Sequence, residues 1–209
     1  MFEYEGVKIS WLGHDCFRIK DGETIYIDPF RIEGGEKADI ILVTHEHYDH
    51  CSPEDIKKIT SDKTVIVASS ACKGQLSRLQ MREIKLVKPG DKLTVEGVEI
   101  EAVPSYNINK PFHPKGDKLG FILTLKGVRI YHAGDTDRIP EMKNFKADVA
   151  LLPVCGTYAM TAEEAAQAVK DIGPKLAVPM HYGTIVGSLK DAERFKEKAG
   201  CPVEIMRKE

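Results

Sequence analysis

The segment from residue 39 to residue 53 passes directly from an apolar run into a cluster of histidines and acids, and then into a helix start. Residues 39–44 read Asp-Ile-Ile-Leu-Val-Thr, and a continuous apolar run predicts a central strand buried on both faces. Ser52 and Pro53 suit the N-cap and the first position of a helix. Residues 45–50, His-Glu-His-Tyr-Asp-His, are therefore held between two fixed ends.

Strand-like and helix-like segments alternate over the rest of the chain. Helices are predicted from Ser52, near 70–79, from Thr161 and from Ser188. Strands are predicted at 7–11, 16–19, 24–27, 39–44, 64–68, 84–87, 92–95, 98–103, 119–125, 128–132, 147–152, 176–180 and, at an edge, 203–206. Residues 104–118 predict a long loop, which is often functional. Without a repeat or a linker, the pattern predicts one α/β domain over residues 1–209, with two sheets covered by helices.

Composition excludes several classes of protein. Among 209 residues, 30 Lys and Arg balance 32 Asp and Glu, for a formal net charge of −2, which argues against a nucleic-acid partner or a membrane-surface binder. No apolar run approaches the ~20 residues of a membrane span, and the N-terminus lacks a signal pattern. Five cysteines without a C-x-x-C pair favour a reducing compartment, so we expect a cytoplasmic location. The expected partner is a small-molecule substrate, and a homo-oligomer is left open.

The histidines of residues 45–50 have the spacing of metal ligands. Neutral imidazole suits zinc and similar divalent ions. Residues i and i+2 of an extended segment project to the same side, so His45 and His47 can converge on one ion. Asp49 and His50, after the chain turns, can face a second ion. The alternative, a polar surface loop, is disfavoured by the density of these residues and by their position after a buried strand.

Two further strand ends carry similar residues. His132-Ala133-Gly134-Asp135-Thr136 follows a predicted strand, and Gly134 permits a tight turn that presents Asp135. His181 follows the predicted strand at 176–180. Each feature alone also fits an ordinary turn, but strand ends at one edge of a sheet lie close together. The three sites therefore support one another.

Together these residues resemble the metallo-β-lactamase superfamily, through His45-x-His47-x-Asp49-His50, Gly134-Asp135-Thr136 and His181. The resemblance implies a four-layer αββα sandwich of two mixed sheets, with two similar halves at roughly 1–110 and 111–209. His14 and Asp28 look like the N-terminal features of its small metal-dependent hydrolases, the branch that includes ascorbate-6-phosphate lactonase-like proteins. It also implies that His45 and His47 bind a first metal, that Asp49, His50 and His181 bind a second, and that Asp135 bridges them.

The chain departs from this pattern at one position. The family places another histidine after the strand that ends at Val103, where this chain has Pro104-Ser105-Tyr106-Asn107. The nearest histidine is His113, within the predicted loop. We expect His113 to replace the missing ligand or to contact substrate, and the alternative is a histidine at the surface of the loop. Without a replacement, the first site would be weak and the enzyme mononuclear.

Other residues are expected to support the site. His14 is either packed beside Trp11 or faces the metals, and Asp28 and His132 are expected to orient ligands by hydrogen bonds. Asp49 is the candidate that orients a metal-activated water and takes its proton, and Tyr106 or His113 could stabilise an oxyanion. Lys110, Lys115 and Lys118 could attract a phosphate, or could simply be solvated.

The expected activity is hydrolysis of an ester, a lactone or a phosphodiester in a small, possibly phosphorylated, substrate. One or two divalent ions are expected, with zinc favoured over manganese or iron. The alternative function is a non-catalytic metal-binding or ligand-sensing protein on the same fold. The altered first site is its only support.

Overall fold

Two mixed β-sheets face each other in the computed structural model, which describes residues 1–209. The first sheet follows chain order, antiparallel from β1 to β4 and parallel from β4 to β7. Its strands are β1 (Phe2–Tyr4), β2 (Val7–Gly13), β3 (Cys16–Asp21), β4 (Glu23–Ile27), β5 (Ile40–Val43), β6 (Val65–Ser69) and β7 (Glu83–Val87).

The second sheet repeats this plan. It is antiparallel over its first four strands and parallel over its last three, again in chain order. Its strands are β8 (Lys92–Val95), β9 (Val98–Pro104), β10 (Leu119–Leu125), β11 (Val128–His132), β12 (Val149–Pro153) and β13 (Leu176–Met180). The division between the sheets thus falls between Val87 and Lys92, earlier than the predicted boundary near residue 110.

Helices cover the outer face of each sheet. Alternate residues of a strand face the inner core and the helices, respectively. The helices are α1 (Pro53–Ile59), α2 (Lys73–Leu76), α3 (Ala162–Ile172) and α4 (Leu189–Lys198). In β5, Ile40 and Leu42 point into the main core, whereas Ile41 and Val43 belong to the smaller core that contains α1 and α2. This burial on both faces is why residues 39–44 are continuously apolar. The predicted four-layer α/β sandwich is confirmed.

Local signals place the helix ends. The side chain of Ser52 caps α1, with Pro53 at the first helical position. Thr161 and Glu164 form a reciprocal capping box at the start of α3, an arrangement that satisfies two otherwise unpaired backbone N–H groups. No helix has the length and apolar character that a membrane span requires.

Two predicted elements are shorter than expected. The helix predicted near 70–79 is a 3₁₀ turn at Ser70–Cys72 followed by α2 alone, because Gly74 and the polar residues after it supply few apolar anchors. The predicted edge strand at 203–206 is reduced to a single bridge between Val203 and Ala177. Neither element carries a predicted ligand.

Candidate metal centre

Three strand ends bring the predicted ligands to one edge of the sandwich. His45 follows β5, Asp135 follows β11, and His181 directly follows β13. The two sheets are joined here, since the N–H of Leu119 donates to the carbonyl of Thr44 at 3.0 Å and that of His181 donates to the carbonyl of His14 at 3.2 Å. Residues far apart in sequence therefore meet across the two sheets.

Three histidines form a first cluster, His45, His47 and His113. Nδ1 of His47 lies 3.0 Å from Nε2 of His45 and 3.2 Å from Nε2 of His113. Three nitrogens at 2.0–2.1 Å from a tetrahedral zinc would lie about 3.3 Å apart. The spacing of the first cluster therefore fits a single tetrahedral cation, and the loop histidine His113 occupies the third corner.

Hydrogen bonds fix which ring nitrogen is free in His113 and in His45. Nδ1 of His113 lies 3.1 Å from both the side-chain oxygen of Asn107 and the carbonyl of Tyr158. Because both partners are acceptors, Nδ1 carries the proton and Nε2 keeps its lone pair. Nδ1 of His45 likewise faces the Thr44 hydroxyl at 2.9 Å, whose own proton goes to Asp28. The Nε2 lone pairs of His45 and His113 thus both face Nδ1 of His47, and a shared cation would fit this arrangement.

A second cluster comprises His14, Asp49, His50 and His181. The Nε2 atoms of His50 and His181 are buried and have no hydrogen-bond partner. Nε2 of His50 lies 3.8 Å from a carboxylate oxygen of Asp49. Buried polar atoms are normally hydrogen-bonded. These two nitrogens lie at ion-pair distance from Asp135 but make no hydrogen bond, so they fit a second cation.

Asp135 lies between the clusters. Its Oδ2 is 3.1 Å from Nε2 of His113, and its Oδ1 is 3.1 Å from Nε2 of His181. Gly134 makes this possible: at φ +61°, an added Cβ would lie 2.6 Å from the carbonyl oxygen of Leu119. One carboxylate oxygen thus faces each cluster, as a bridging ligand requires.

The charges of the site favour a cation. Burial alone would lower the pKa of His50 and of His181, but the negative charge of Asp135 outweighs it and holds both pKa values well above the ordinary range. Burial would raise the pKa of Asp135, and the two histidines more than reverse this. In the metal-free protein, the protonated rings of His50 and His181 therefore supply positive charge at the position where a divalent ion would bind.

Surrounding residues orient the cluster members. Asp28 accepts hydrogen bonds from the Thr44 backbone at 2.8 Å and from Nδ1 of His50 at 2.8 Å. Nε2 of His132 donates to the carbonyl of Asp15 at 2.9 Å, and its Nδ1 accepts from the Gly134 backbone at 3.3 Å. The structure therefore places Asp28 against a cluster ring, and His132 against the turn that presents the bridging carboxylate.

His14 also has a defined position. Its Nε2 donates to Asp49 at 3.0 Å, while Trp11 donates to its backbone carbonyl at 2.8 Å. Burial lowers the pKa of His14 to about 4, despite the opposing bond to Asp49. Both expected surroundings of His14, beside Trp11 and facing the centre, are therefore present together.

Asp15 is a site residue that the sequence analysis missed. It is fully buried, neither carboxylate oxygen has a hydrogen-bond partner, and it groups with His50, Asp135 and His181. No motif in the sequence distinguishes Asp15 from an ordinary turn residue before the strand that begins at Cys16.

Tyr106 does not reach the clusters. Its hydroxyl donates to Glu141 at 2.9 Å and accepts from Lys115 at 3.4 Å. Its backbone instead pairs with Thr136, the residue after the bridging aspartate. The Tyr106 hydroxyl is thus engaged with the pair formed by Glu141 and Lys115, and Tyr106 is not among the residues brought together in the two clusters.

A cavity of about 250 Å³ opens beside both clusters. Its lining residues are His47, Tyr48, Asp49, Phe112, His113, Asp135, Tyr158 and Ile185. A larger polar groove of about 960 Å³, lined in part by Lys57 and Arg78, contains none of the cluster residues. The smaller cavity is therefore the one that gives access to the metal centre.

Comparison with known proteins agrees with this geometry. A family model described as a beta-lactamase superfamily domain matches residues 8–181. The chain belongs to the metallo-β-lactamase superfamily. Among its relatives in that superfamily is a UPF0173 metal-dependent hydrolase of Thermoplasma acidophilum, 35% identical, with 94% of this chain and 92% of the relative covered. A second, from Methanoculleus marisnigri, is 38% identical, with 91% and 87% covered.

Solved structures of the superfamily give the same picture. A candidate metal-dependent hydrolase from Parabacteroides distasonis is 35% identical and has a TM-score of 0.85, with 97% of this chain and 93% of that one covered. The metallo hydrolase Igni18 from Ignicoccus hospitalis is 26% identical with a TM-score of 0.78, and 96% and 95% are covered. The protein is thus a metal-dependent hydrolase, and the alternative of a non-catalytic sensor is disfavoured.

Proposed function

We propose that this protein is a two-metal hydrolase in which His113 completes the first site. His45, His47 and His113 would hold one ion, Asp49, His50 and His181 the other, and Asp135 would bridge them. The observation that carries this proposal is the convergence of three ring nitrogens in the first cluster, where Nδ1 of His47 lies 3.0 Å from Nε2 of His45 and 3.2 Å from Nε2 of His113. Zinc suits these ligands best, and manganese or iron also accepts them.

A bound ion of this kind lowers the pKa of a water molecule towards neutrality and so supplies a hydroxide nucleophile. The residues of the protein would align the attacking water. Asp49 lines the cavity and is held by the hydrogen bond from His14. Burial raises the pKa of Asp49, but this bond and the charge of His50 reverse the effect and lower the pKa to about 2. Asp49 is therefore ionised at neutral pH, and its carboxylate would orient the water by accepting a hydrogen bond from it.

Candidate substrates are small esters, lactones and phosphodiesters, all of which are cleaved by attack of water on a carbon or phosphorus centre. The narrower resemblance to ascorbate-6-phosphate lactonase-like proteins stays a prediction, as does the cytoplasmic location. The cavity volume of about 250 Å³ is close to the lower end of the range of small-molecule pockets, which suits a small substrate.

The test begins with protein purified without added metal. Elemental analysis should find two equivalents of a divalent ion, and chelation should abolish turnover of a panel of esters, lactones and phosphodiesters. Asp135→Asn and His181→Ala should lose turnover and metal while the circular dichroism spectrum remains that of the folded protein. Wild-type activity in either variant, or activity that survives complete chelation, would refute the proposed mechanism.

A further inference from the structure

The wall of the cavity is apolar where it leaves the metal centre. Beyond the cluster residues, its lining consists of Tyr48, Phe112, Tyr158 and Ile185. The ring of Phe112 packs edge-on against Tyr158 at 4.8 Å between centroids. Phe112 is 41% exposed and Tyr48 is 64% exposed. Large apolar side chains exposed together around a catalytic cavity form a binding surface for an apolar group.

No lysine or arginine lines this cavity. The three lysines of the long loop are each engaged elsewhere by a carboxylate. Lys110 lies 2.6 Å from Asp137 and Lys115 lies 2.9 Å from Glu141. The third, Lys118, is buried and lies 2.5 Å from Glu46. The positive charge that the sequence offered for a phosphate is therefore already neutralised.

An anionic group of the substrate that lies away from the scissile bond would therefore contact aromatic rings, and it would not contact a lysine or an arginine. Removing such a charge from water without a partner is costly. An uncharged alkyl or aryl group would gain free energy in the same place through burial.

On the basis of the proposed hydrolase function, we infer that the group beyond the scissile bond of the substrate is apolar and uncharged, whichever of the candidate bonds is cleaved. The substrate is therefore not phosphorylated at that end. Phe112, Tyr158 and Ile185 act as specificity-determining residues that hold this group.

Matched p-nitrophenyl esters test the inference in the zinc-loaded protein. The acetate and the hexanoate differ by four methylenes, and the mono-ester of adipate places a carboxylate at the end of a hexanoate-length chain. Each methylene that is buried should raise kcat/KM about fourfold, so hexanoate should exceed acetate by at least about tenfold. Adipate should fall below hexanoate by about tenfold or more. Adipate turnover equal to that of hexanoate would overturn the inference.

A charge variant sharpens the test. Phe112→Lys places a cation at the exposed rim and should narrow the ratio of hexanoate to adipate by about tenfold, through a lower KM for adipate. Leu86→Lys is the matched control, because Leu86 is 39% exposed on β7 and does not line the cavity. The ratio should be unchanged in this control. An unchanged ratio in Phe112→Lys would also contradict the inference.

Binding separates this inference from the proposed function. Titration calorimetry on the zinc-loaded protein measures the affinities of the hexanoate and adipate anions. This measurement requires no turnover. Protein that holds metal and binds adipate as tightly as hexanoate refutes the substrate class alone. Protein that holds no metal refutes the proposed function. Tighter binding of hexanoate supports the substrate class even where the ester panel is not cleaved.

Discussion

Substitution of His113 by alanine should remove one of the two metal ions while leaving the fold intact. The ring supplies one of three nitrogens of the first cluster, and its Nδ1–H is held by Asn107 and by the Tyr158 carbonyl. Loss of a residue that merely orients a ligand costs 10–100-fold in metal affinity as a rough guide. Loss of the ligand itself should cost at least about 100-fold at the first site.

The expected change in stability follows from mass action. At a free zinc concentration about 100 times the wild-type Kd, binding stabilises the folded protein by about 2.7 kcal/mol. A Kd raised about 100-fold leaves only about 0.4 kcal/mol at the same concentration, a loss of about 2.3 kcal/mol. For a chain of 209 residues, each kcal/mol shifts Tm by about 2–4 °C. The zinc-dependent rise in Tm should therefore shrink by about 5–9 °C.

Scanning calorimetry of metal-free and zinc-loaded samples isolates this effect. For each protein, the Tm of the metal-free sample is subtracted from that of the zinc-loaded sample. The difference excludes the stability that is lost when the buried side chain is truncated. In the same samples, elemental analysis should show a fall from about two equivalents of zinc to about 1.5 or fewer, because the first site is then at most about half occupied. Two equivalents in His113→Ala, with an unchanged zinc-dependent rise in Tm, would show that His113 is not a ligand.

Three further outcomes are expected. Asp15→Asn should weaken zinc binding at the second cluster by about 10–100-fold, and unaltered affinity in zinc titrations would contradict this. Gly134→Ala, whose Cβ would meet the Leu119 carbonyl at 2.6 Å, should lose about 3 kcal/mol or more in urea unfolding. Gly173→Ala, at φ +69° in open space, should lose only about 1 kcal/mol; equal losses would refute the clash. The pKa of His50 is raised on folding, so its stabilisation is complete below pH ~6.5 and declines as pH rises through the folded value. The Tm of the metal-free protein should fall as the pH rises above about 6.5 and through the raised pKa of folded His50, and a flat profile would refute the charge assignment.

Much of the fold was accessible from local sequence pattern. The buried strand at 39–44, the cap at Ser52 and the capping box at Thr161 are local signals, and the structure follows each of them. The short α2 was mispredicted because a helix of four residues depends on tertiary packing more than on its own propensity. The same holds for the segment at 203–206, where only one bridge forms.

The site was less accessible, because side-chain direction within a loop is set by contacts that are distant in sequence. His113 faces the first cluster only because Asn107 and the Tyr158 carbonyl hold its opposite nitrogen. Tyr106 is turned towards Glu141, 35 positions further along the chain. Asp15 carries no motif, and only its burial among the cluster residues makes it visible.

The distribution of the ligands over the two sheets has a consequence for stability. His45, His47, Asp49 and His50 follow β5 of the first sheet, whereas His113, Asp135 and His181 belong to the second. Each proposed site takes ligands from both sheets, with Asp135 shared between them. Metal binding would therefore hold the sheets together at this edge, and its free energy would add to that of folding. Chelation should loosen this edge first, with faster amide exchange at Leu119 and His181, whose N–H groups bond across the two sheets.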